Sequence, residues 1–318
     1  MNKENVKRFI KSVPPVLWAI IILIIVFSNF SKNYLTYRNL VIILQQTSVL
    51  LVVASAATFV LISGGLDLSL GGVLTISGVA VAFALNAGLP IYVVFIIGAA
   101  VGFACGAING TLISYLGLAP FIVTLGTQGI FFGLSLVLSK RQGISISNET
   151  FIKLGDLING KIPMAAILCG ILFLFAIFVQ NHTRLGRYTY AIGGNREGSR
   201  LSGVNTKFWH FMVYAFAGFL TGLAAVILVA RLEVADPIVG SQWEFEAIAA
   251  AILGGTSMDI GRGDVKGTLI GVLLFTIVRS GMNVIRVPSI LQPAILGTIL
   301  VLAIVLQVSI TNRRINHE

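Results

Sequence analysis

The sequence predicts an all-α, polytopic transmembrane helical bundle, and three observations lead to that fold class. Of the 318 residues 56% are hydrophobic and only 11% are charged, with a mean hydropathy of +0.95, whereas a soluble domain carries about 25% charged residues. The apolar residues gather in runs of roughly the 20 residues that cross a bilayer. The net charge of +10 is scattered over the polar gaps between those runs, which favours cytoplasmic loops over a nucleic-acid surface.

Ten apolar runs qualify as spans, and the third and eighth of them are short and rich in Gly, Ser or polar residues. Their approximate limits are 14–30, 40–62, 70–87, 90–115, 119–139, 163–180, 210–231, 244–258, 265–284 and 289–309. If the N-terminus is inside, thirteen of the 22 Lys and Arg residues fall in cytoplasmic gaps and eight in outer gaps. Because Lys and Arg accumulate on the cytoplasmic side, both termini are predicted to be cytoplasmic and residues 1–318 to form one transmembrane domain.

The longest polar interval, the central segment at about residues 181–209, holds five basic residues and one acidic residue. They are Arg184, Arg187, Arg196, Arg200, Lys207 and Glu197. Each unpaired charge would cost several kcal/mol in lipid, so the central segment is predicted to be a loop. Its positive charge places that loop on the cytoplasmic side.

Two gaps on the predicted outer side are long enough to carry a surface. The larger runs over about residues 140–162, and the smaller over about residues 231–243. Each is either a plain connecting loop or a landing surface for an external partner.

Glycines recur every four residues in two of the predicted spans. They are Gly98, Gly102, Gly106 and Gly110 in the fourth span, and Gly263, Gly267 and Gly271 at the start of the ninth. This spacing lines them on one helix face, where the missing side chains let another backbone approach closely. The faces serve either static close packing or helices that slide against each other, and both alternatives require a tightly packed bundle.

Asp67 is a lone acid between paired glycines, in residues 63–72, where two apolar runs are interrupted. An ionisable residue at membrane depth indicates a functional site. Alternatively, Asp67 lies at the cytoplasmic end of a span and caps the next helix. Residues 253–264 have a similar composition, which hints at an internal repeat of the kind that transporters use.

Polar side chains within or beside the spans are the candidates for a translocation path. They are Asp67, Asn109, Thr124, Thr127, Gln128 and Glu246. The neutral ones suit a hydroxyl-rich solute, but they also suit hydrogen bonds that hold helices together. Glu246, together with Glu244, begins the eighth span, where the helix dipole favours a carboxylate in any case.

Catalytic and metal-binding patterns are missing from the sequence. The three histidines, His182, His210 and His317, lack metal-ligand spacing. Residues 155–161 superficially match a phosphate-binding loop, but Ile162 stands where Ser or Thr should bind Mg²⁺. The chain is therefore predicted to be no enzyme and to bind no metal or cofactor, and any ATP must be bound by another subunit.

Four separated stretches carry a family resemblance, namely residues 64–69, 120–127, 186–204 and 244–257. In order and spacing they resemble the membrane permease subunits of ribose-type ABC importers, which include ribose, galactose, arabinose and autoinducer-2 permeases. The resemblance runs from about residue 40 to the last span. One departure is the stretch after Ser257, where Met258 to Arg262 replace small residues and add charge.

The resemblance implies a set of partners in the bacterial inner membrane. A second permease subunit, identical or a paralogue, completes the path. A cytoplasmic ATPase with two fused cassettes holds ATP and Mg²⁺, and an extracytoplasmic sugar-binding protein delivers the solute. The central segment then carries a coupling helix that docks on the ATPase. The matching positions are Gly186, Arg187, Ala191, Gly193, Gly194, Asn195, Arg200, Leu201 and Gly203.

The expected function is import of a small, ribose-like monosaccharide. Autoinducer-2 or another small polar solute is the alternative cargo. A facilitator that works alone is the alternative mechanism, and it would transport without any ATPase. The sequence does not name the solute.

Overall fold

The computed structural model describes residues 15–258, 260–298 and 301, and it is built almost entirely of helices. The helices are α1 (Pro15–Phe30), α2 (Tyr37–Ile62), α3 (Leu70–Asn86), α4 (Ile91–Ser114), α5 (Pro120–Leu138), α6 (Glu149–Ile152), α7 (Met164–His182), α8 (Arg184–Gly194), α9 (Arg196–Leu201), α10 (Thr206–Leu232), α11 (Trp243–Leu253) and α12 (Val265–Val284). A 3-10 turn at Ser289–Leu291 leads into helical residues 292–298.

The prediction of about ten spans is not confirmed. Within the described residues six helices are long and apolar enough to cross a membrane, namely α2, α4, α5, α7, α10 and α12, and α1 and α3 are shorter apolar helices. The predicted eighth span is the 11-residue helix α11, because the chain turns at Gly255, whose φ is +96°. The predicted tenth span is described only in part. Both termini lie outside the described residues, so their side of the membrane stays a prediction.

Helix α10 lies at the centre of the bundle and packs directly on α4. A Cβ added at Gly102 would collide with the carbonyl oxygen of Gly218, and one added at Gly106 with that of Tyr214. The reverse also holds, since a Cβ on Gly222 would strike the carbonyl of Gly98. The two backbones are therefore in contact, the arrangement that small residues permit between membrane helices.

This contact makes Gly102→Ala a destabilising substitution. The methyl group has no room beside a backbone carbonyl, and overpacking typically costs about 1–3 kcal/mol. Gly170→Ala in α7 is the matched control, because a Cβ there meets no heavy atom within 4 Å. Thermal unfolding of the two purified variants in detergent checks the difference. Equal midpoints would contradict close packing of α4 on α10.

Helices α11 and α12 approach each other in the same way. A Cβ on Gly267 would meet the carbonyl of Gly254, and one on Gly271 the carbonyl of Ala250. Gly263 departs from the predicted pattern, because it precedes α12 and faces the side chain of Thr256. It belongs to the loop at residues 254–264 and not to the glycine face of the helix.

The two predicted outer loops fold together. β1 (Ile144–Ser145) pairs antiparallel with β4 (Val234–Ala235), in the register Ile144 to Ala235 and Ser145 to Val234. β2 (Leu157–Ile158) pairs with β3 (Ile162–Pro163) within the larger loop. Phe151 of α6 is fully buried in an apolar cluster beneath these strands. The two gaps therefore form one folded cap and not two independent connections.

Candidate functional site

The central segment connects two spans, as expected, and it is almost wholly helical, which goes beyond the single coupling helix that the resemblance implies. Two side chains start its helices: Thr183 Oγ1 accepts a hydrogen bond from the amide of Gly186 at 3.4 Å, and Asn195 Oδ1 accepts one from the amide of Gly198 at 2.7 Å. These residues are N-caps of α8 and α9, and Asn195 also ends α8. A polar sequence outside lipid can satisfy its backbone internally, so polarity alone did not decide between helix and loop.

Helix α8 rests on the end of α2 and on the loop at residues 254–264. A Cβ on Gly193 would collide with the carbonyl oxygen of Ile62, and one on Gly261, which has a positive φ of +58°, with the amide nitrogen of Gly194. The contact thus requires glycine on both sides. The predicted extra charge of this loop includes Arg262, which is exposed, and Asp259, which lies outside the described residues.

Tyr190 bonds α8 to the same loop. Its hydroxyl donates to the carbonyl oxygen of Gly263 at 2.6 Å. Burial raises the pKa of Tyr190, and the nearby carboxylate of Asp264 raises that pKa further. The hydroxyl is therefore protonated, and a donor, at physiological pH.

Removing this hydroxyl is expected to loosen α8. A typical intramolecular hydrogen bond contributes about 0.5–1.5 kcal/mol, so Tyr190→Phe should speed hydrogen exchange of the α8 amides by roughly 2–12-fold if they exchange through local opening. Tyr188→Phe is the control, because the Tyr188 ring packs 4.8 Å from that of Trp209 and its hydroxyl has no partner within the described residues. Equal exchange in both variants would mean that the bond does not anchor α8.

The residues predicted to couple divide into an anchoring group and a surface group. Gly186 is buried against the carbonyl of Gln180, and the Ala191 carbonyl accepts from Ser199 Oγ at 2.8 Å. With Gly193, these residues hold the two helices in place. The surface group is exposed and consists of Arg187, Gly194, Asn195, Arg200, Leu201 and Gly203. Leu201 is 74% exposed, an unusual position for a large apolar side chain.

The two arginines of this surface, Arg187 and Arg200, differ in whether they have an acidic partner. Arg200 donates from Nε and Nη2 to the two carboxylate oxygens of Glu197, at 2.9 and 2.6 Å. These hydrogen bonds lower the pKa of Glu197. Within the described part of the chain, Arg187 forms no ion pair. Of the two arginines that the family resemblance assigns to coupling, Arg187 is therefore the one that remains available to an acidic partner.

Three of the predicted path residues converge on residues 63–69. Asp67 is 2% exposed, and its Oδ1 accepts from Ser69 N at 2.8 Å and from Ser69 Oγ at 2.6 Å. Asn109 donates to Ser69 Oγ at 2.7 Å. Asp67 therefore bonds the residue before α3 and no first-turn amide of that helix, which disfavours the helix-cap alternative.

The third converging residue is Thr124, whose hydroxyl lies 3.5 Å from the carbonyl oxygen of Leu66 and 2.8 Å from that of Pro120. Tyr214 of α10 donates to the same Leu66 carbonyl at 3.4 Å. Within the described residues, the Thr127 hydroxyl bonds the Thr124 carbonyl alone, at 3.2 Å. Side chains of α4, α5 and α10 thus hold the turn that enters α3.

The remaining two path candidates lie elsewhere. Gln128 donates to Glu244, a carboxylate that is 1% exposed, and Glu246 pairs with Arg279. The six candidates therefore form separate groups and not one site. Sequence reasoning missed Glu244 and Arg279 as partners, although an arginine inside a predicted span is itself a signal.

A cavity of about 750 Å³ lies between the central segment and the start of residues 63–69, a stretch called the Asp67 turn below. Its walls include Gly64, Ser114, Arg196, Lys207 and His210. Nδ1 of His210 lies 3.0 Å from Ser114 Oγ. The cavity thus lies between α8, α9 and the ends of α2 and α4. Among the residues that the structure describes, no three His, Cys, Asp or Glu side chains come together as metal ligands.

Comparison with known proteins finds relatives over most of the chain. Residues 39–304 match the family described as "Branched-chain amino acid transport system / permease component". The ribose import permease protein RbsC of Escherichia coli K12 is 37% identical over 295 residues, 91% of each chain. RbsC of Bacillus subtilis 168 is 37% identical over 290 residues, 91% of this chain and 90% of its own. The D-allose transport system permease protein AlsC of E. coli K12 is 36% identical over 287 residues, 90% of this chain and 88% of its own.

One solved structure has a similar fold at low sequence identity. It is an inward-facing conformation of a metal-chelate type ABC transporter, with a TM-score of 0.52 and 16% identity, covering 92% of this chain and 99% of the other. At this identity the likeness concerns the fold alone.

Proposed function

The chain belongs to the branched-chain amino acid transport system permease family, among the ribose-type ABC importer permeases, and we propose that it is the transmembrane subunit of an ATP-driven importer for a small monosaccharide. The multi-pass helical bundle is consistent with this role. The membrane is then the bacterial inner membrane, with the central segment in the cytoplasm.

The observation that carries the proposal is the contrast between the two faces of α8. One face is anchored by Gly193 on Ile62 and by Tyr190 on Gly263. The other presents Arg187 to solvent, and the exposed Leu201 of α9 lies nearby in sequence. Basic residues that served only to orient the chain in the membrane would need neither the tight anchoring nor the exposed leucine. A helix that contacts the ATPase on one face and the transmembrane helices on the other needs both.

Force would pass from α8 to the bundle in one step. Gly193 touches the last residue of α2, which the Asp67 turn follows at once, and that turn leads into α3. The bonds from Asn109 to Ser69 and from Tyr214 to Leu66 tie the turn to α4 and α10. A shift of α8 would therefore be passed through this turn to α3 and to the central pair α4 and α10.

The partners in this proposal are the ones that the family resemblance implies. A second permease subunit completes the translocation path, and a cytoplasmic ATPase with two cassettes binds ATP and Mg²⁺. An extracytoplasmic binding protein delivers the sugar to the cap formed by β1 and β4. A guanidinium such as Arg187 suits carboxylates on the ATPase, because its planar donors match their geometry.

The cargo class follows from the relatives and not from a mapped sugar site. Relatives named for ribose and for D-allose are 37% and 36% identical to this chain, and one percentage point does not separate the two sugars. Both names describe neutral, hydroxyl-rich monosaccharides.

Reconstitution into proteoliposomes tests the proposal. The permease would be combined with its ATPase and binding protein, and uptake of radiolabelled ribose and D-allose measured with and without ATP. Uptake of at least one sugar only when ATP, ATPase and binding protein are all present is the expected result. Equal uptake by the permease alone would identify a stand-alone facilitator.

A further inference from the structure

A small cavity in the half of the bundle away from α8 contains more positive than negative charge. It lies among α2, α10, α11 and α12 and has a volume of about 80 Å³. Its walls comprise charged residues, neutral polar residues and apolar or aromatic residues, namely Arg231, Glu246 and Arg279, then Gln46 and Thr276, then Leu50, Trp243 and Phe275. We call it the arginine cavity.

The charges in the arginine cavity do not balance. Arg279 donates to Glu246, and Glu246 is 8% exposed. Arg231 donates from Nη1 to the carbonyl oxygen of Gln45 at 2.7 Å, and a carbonyl group carries no net charge. Among the described residues no second Asp or Glu lines the cavity, so two guanidinium groups face one carboxylate, which is bonded to Arg279. The formal charge of the walls is +1.

A charge without a counter-ion in the arginine cavity costs free energy. Attraction and desolvation both grow as the surroundings become less polar, so the second guanidinium favours a counter-ion that fits the space. A water molecule occupies roughly 30 Å³ of liquid. The cavity therefore has room for about two particles of that size, such as a halide ion and one water, but not for an organic anion as large as gluconate.

Gln46 supplies an independent observation. Its Oε1 atom is buried and has no hydrogen-bond partner in the described structure. An acceptor in this position needs a donor, which an anion is not. A water molecule can donate one hydrogen to Gln46 Oε1 and the other to an anion. A hydrated anion would thus neutralise the charge of the walls and give Gln46 Oε1 a hydrogen bond.

We propose that the arginine cavity binds one halide-sized monoanion, chloride in the cell, between the guanidinium groups of Arg231 and Arg279, with one water bridging the ion to Gln46. The bound ion neutralises the cavity and joins α10 to α12 beside α11. The inference does not rest on the proposed import function or on the coupling of α8, although Glu246 is also one of the predicted path residues.

The test is thermal unfolding of the full chain in detergent at constant ionic strength, with chloride, bromide or gluconate as the anion. Chloride and bromide should raise the unfolding midpoint of the wild type saturably, by roughly 2–4 °C over gluconate. Arg231→Gln, which keeps a donor near the Gln45 carbonyl, should lose this dependence. Arg38→Gln, on an exposed arginine of α2, should keep it. A wild-type midpoint equal in all three salts would overturn the proposal.

Gln46→Glu is a second test variant, and unlike Arg231→Gln it is expected to be stable without halide. If the walls are positive, the new carboxylate replaces the ion, so the midpoint in gluconate should at least equal that of the wild type in chloride and no longer respond to halide. If Gln46→Glu instead destabilises the protein in every salt, the cavity is not an anion site. In crystals grown with bromide, an anomalous peak between Arg231 and Arg279 is expected, and bromide bound only elsewhere would refute the location.

Discussion

Arg187→Glu should reduce ATP-driven sugar uptake at least about tenfold while the protein remains folded and in the membrane. The guanidinium is exposed and, within the described residues, has no ion-pair partner, so its loss leaves the fold unchanged. If it faces a carboxylate of the ATPase, the substitution converts attraction into repulsion. Truncating one partner of a buried charge pair at an interface costs about 2–5 kcal/mol, and 1.4 kcal/mol is already tenfold.

Arg187→Lys is the matched variant, because it keeps the positive charge, and it should retain most of the uptake. Arg200 requires a different comparison, since it is already paired with Glu197. The double variant Glu197→Arg with Arg200→Glu keeps an ion pair on α9. It changes only which of the two exposed positions carries the positive charge and which the negative. If Arg187→Glu transports at the wild-type rate, the surface of α8 does not dock through this charge.

Gly193→Ala should uncouple ATP hydrolysis from transport. A Cβ at this position would overlap the carbonyl oxygen of Ile62, so α8 must lift from the end of α2. The ATPase would still bind the exposed face, but its movement would no longer reach the turn before α3. We expect uptake to fall more than tenfold while ATP hydrolysis by the complex continues.

The neighbouring glycine provides the control for this experiment. A Cβ on Gly194 meets no heavy atom within 4 Å, so Gly194→Ala should transport normally if its methyl group does not disturb the ATPase. Uptake and ATP hydrolysis are measured on the same proteoliposomes, which separates loss of assembly from loss of coupling. Equal uptake in the two variants would show that contact between α8 and α2 is not part of the transmission.

Features that depend on local sequence were predictable. The limits of α2, α4, α5 and α12 lie within about three residues of the predicted spans, because long apolar runs end where polar residues or proline begin. The family assignment is confirmed by the relatives. The four-residue spacing places Gly98 to Gly110 on one face, since the periodicity of a helix alone determines that face, and a Cβ on any of the four would meet atoms of α10.

Features that depend on contacts between distant residues were not predictable. The ion pair between Glu246 and Arg279 joins two helices and leaves no periodic signal. The pairing of β1 with β4 joins loops some 90 residues apart, and strands of two residues carry almost no pattern. The short length of α11 depends on the turn at Gly255, and the sequence does not say whether a glycine there bends or ends a helix.

The most direct test of the account is where the exposed face of α8 lies in the assembled transporter. A photo-activatable cross-linker at position 187 or 201, introduced into the complex in native membranes, should capture the ATPase chain, and the yield should change when ATP is added. The same positions, replaced by cysteine, should react with membrane-impermeant reagents only in inside-out vesicles. Labelling from the outer face, or a complex in which neither position cross-links to the ATPase, would contradict the account.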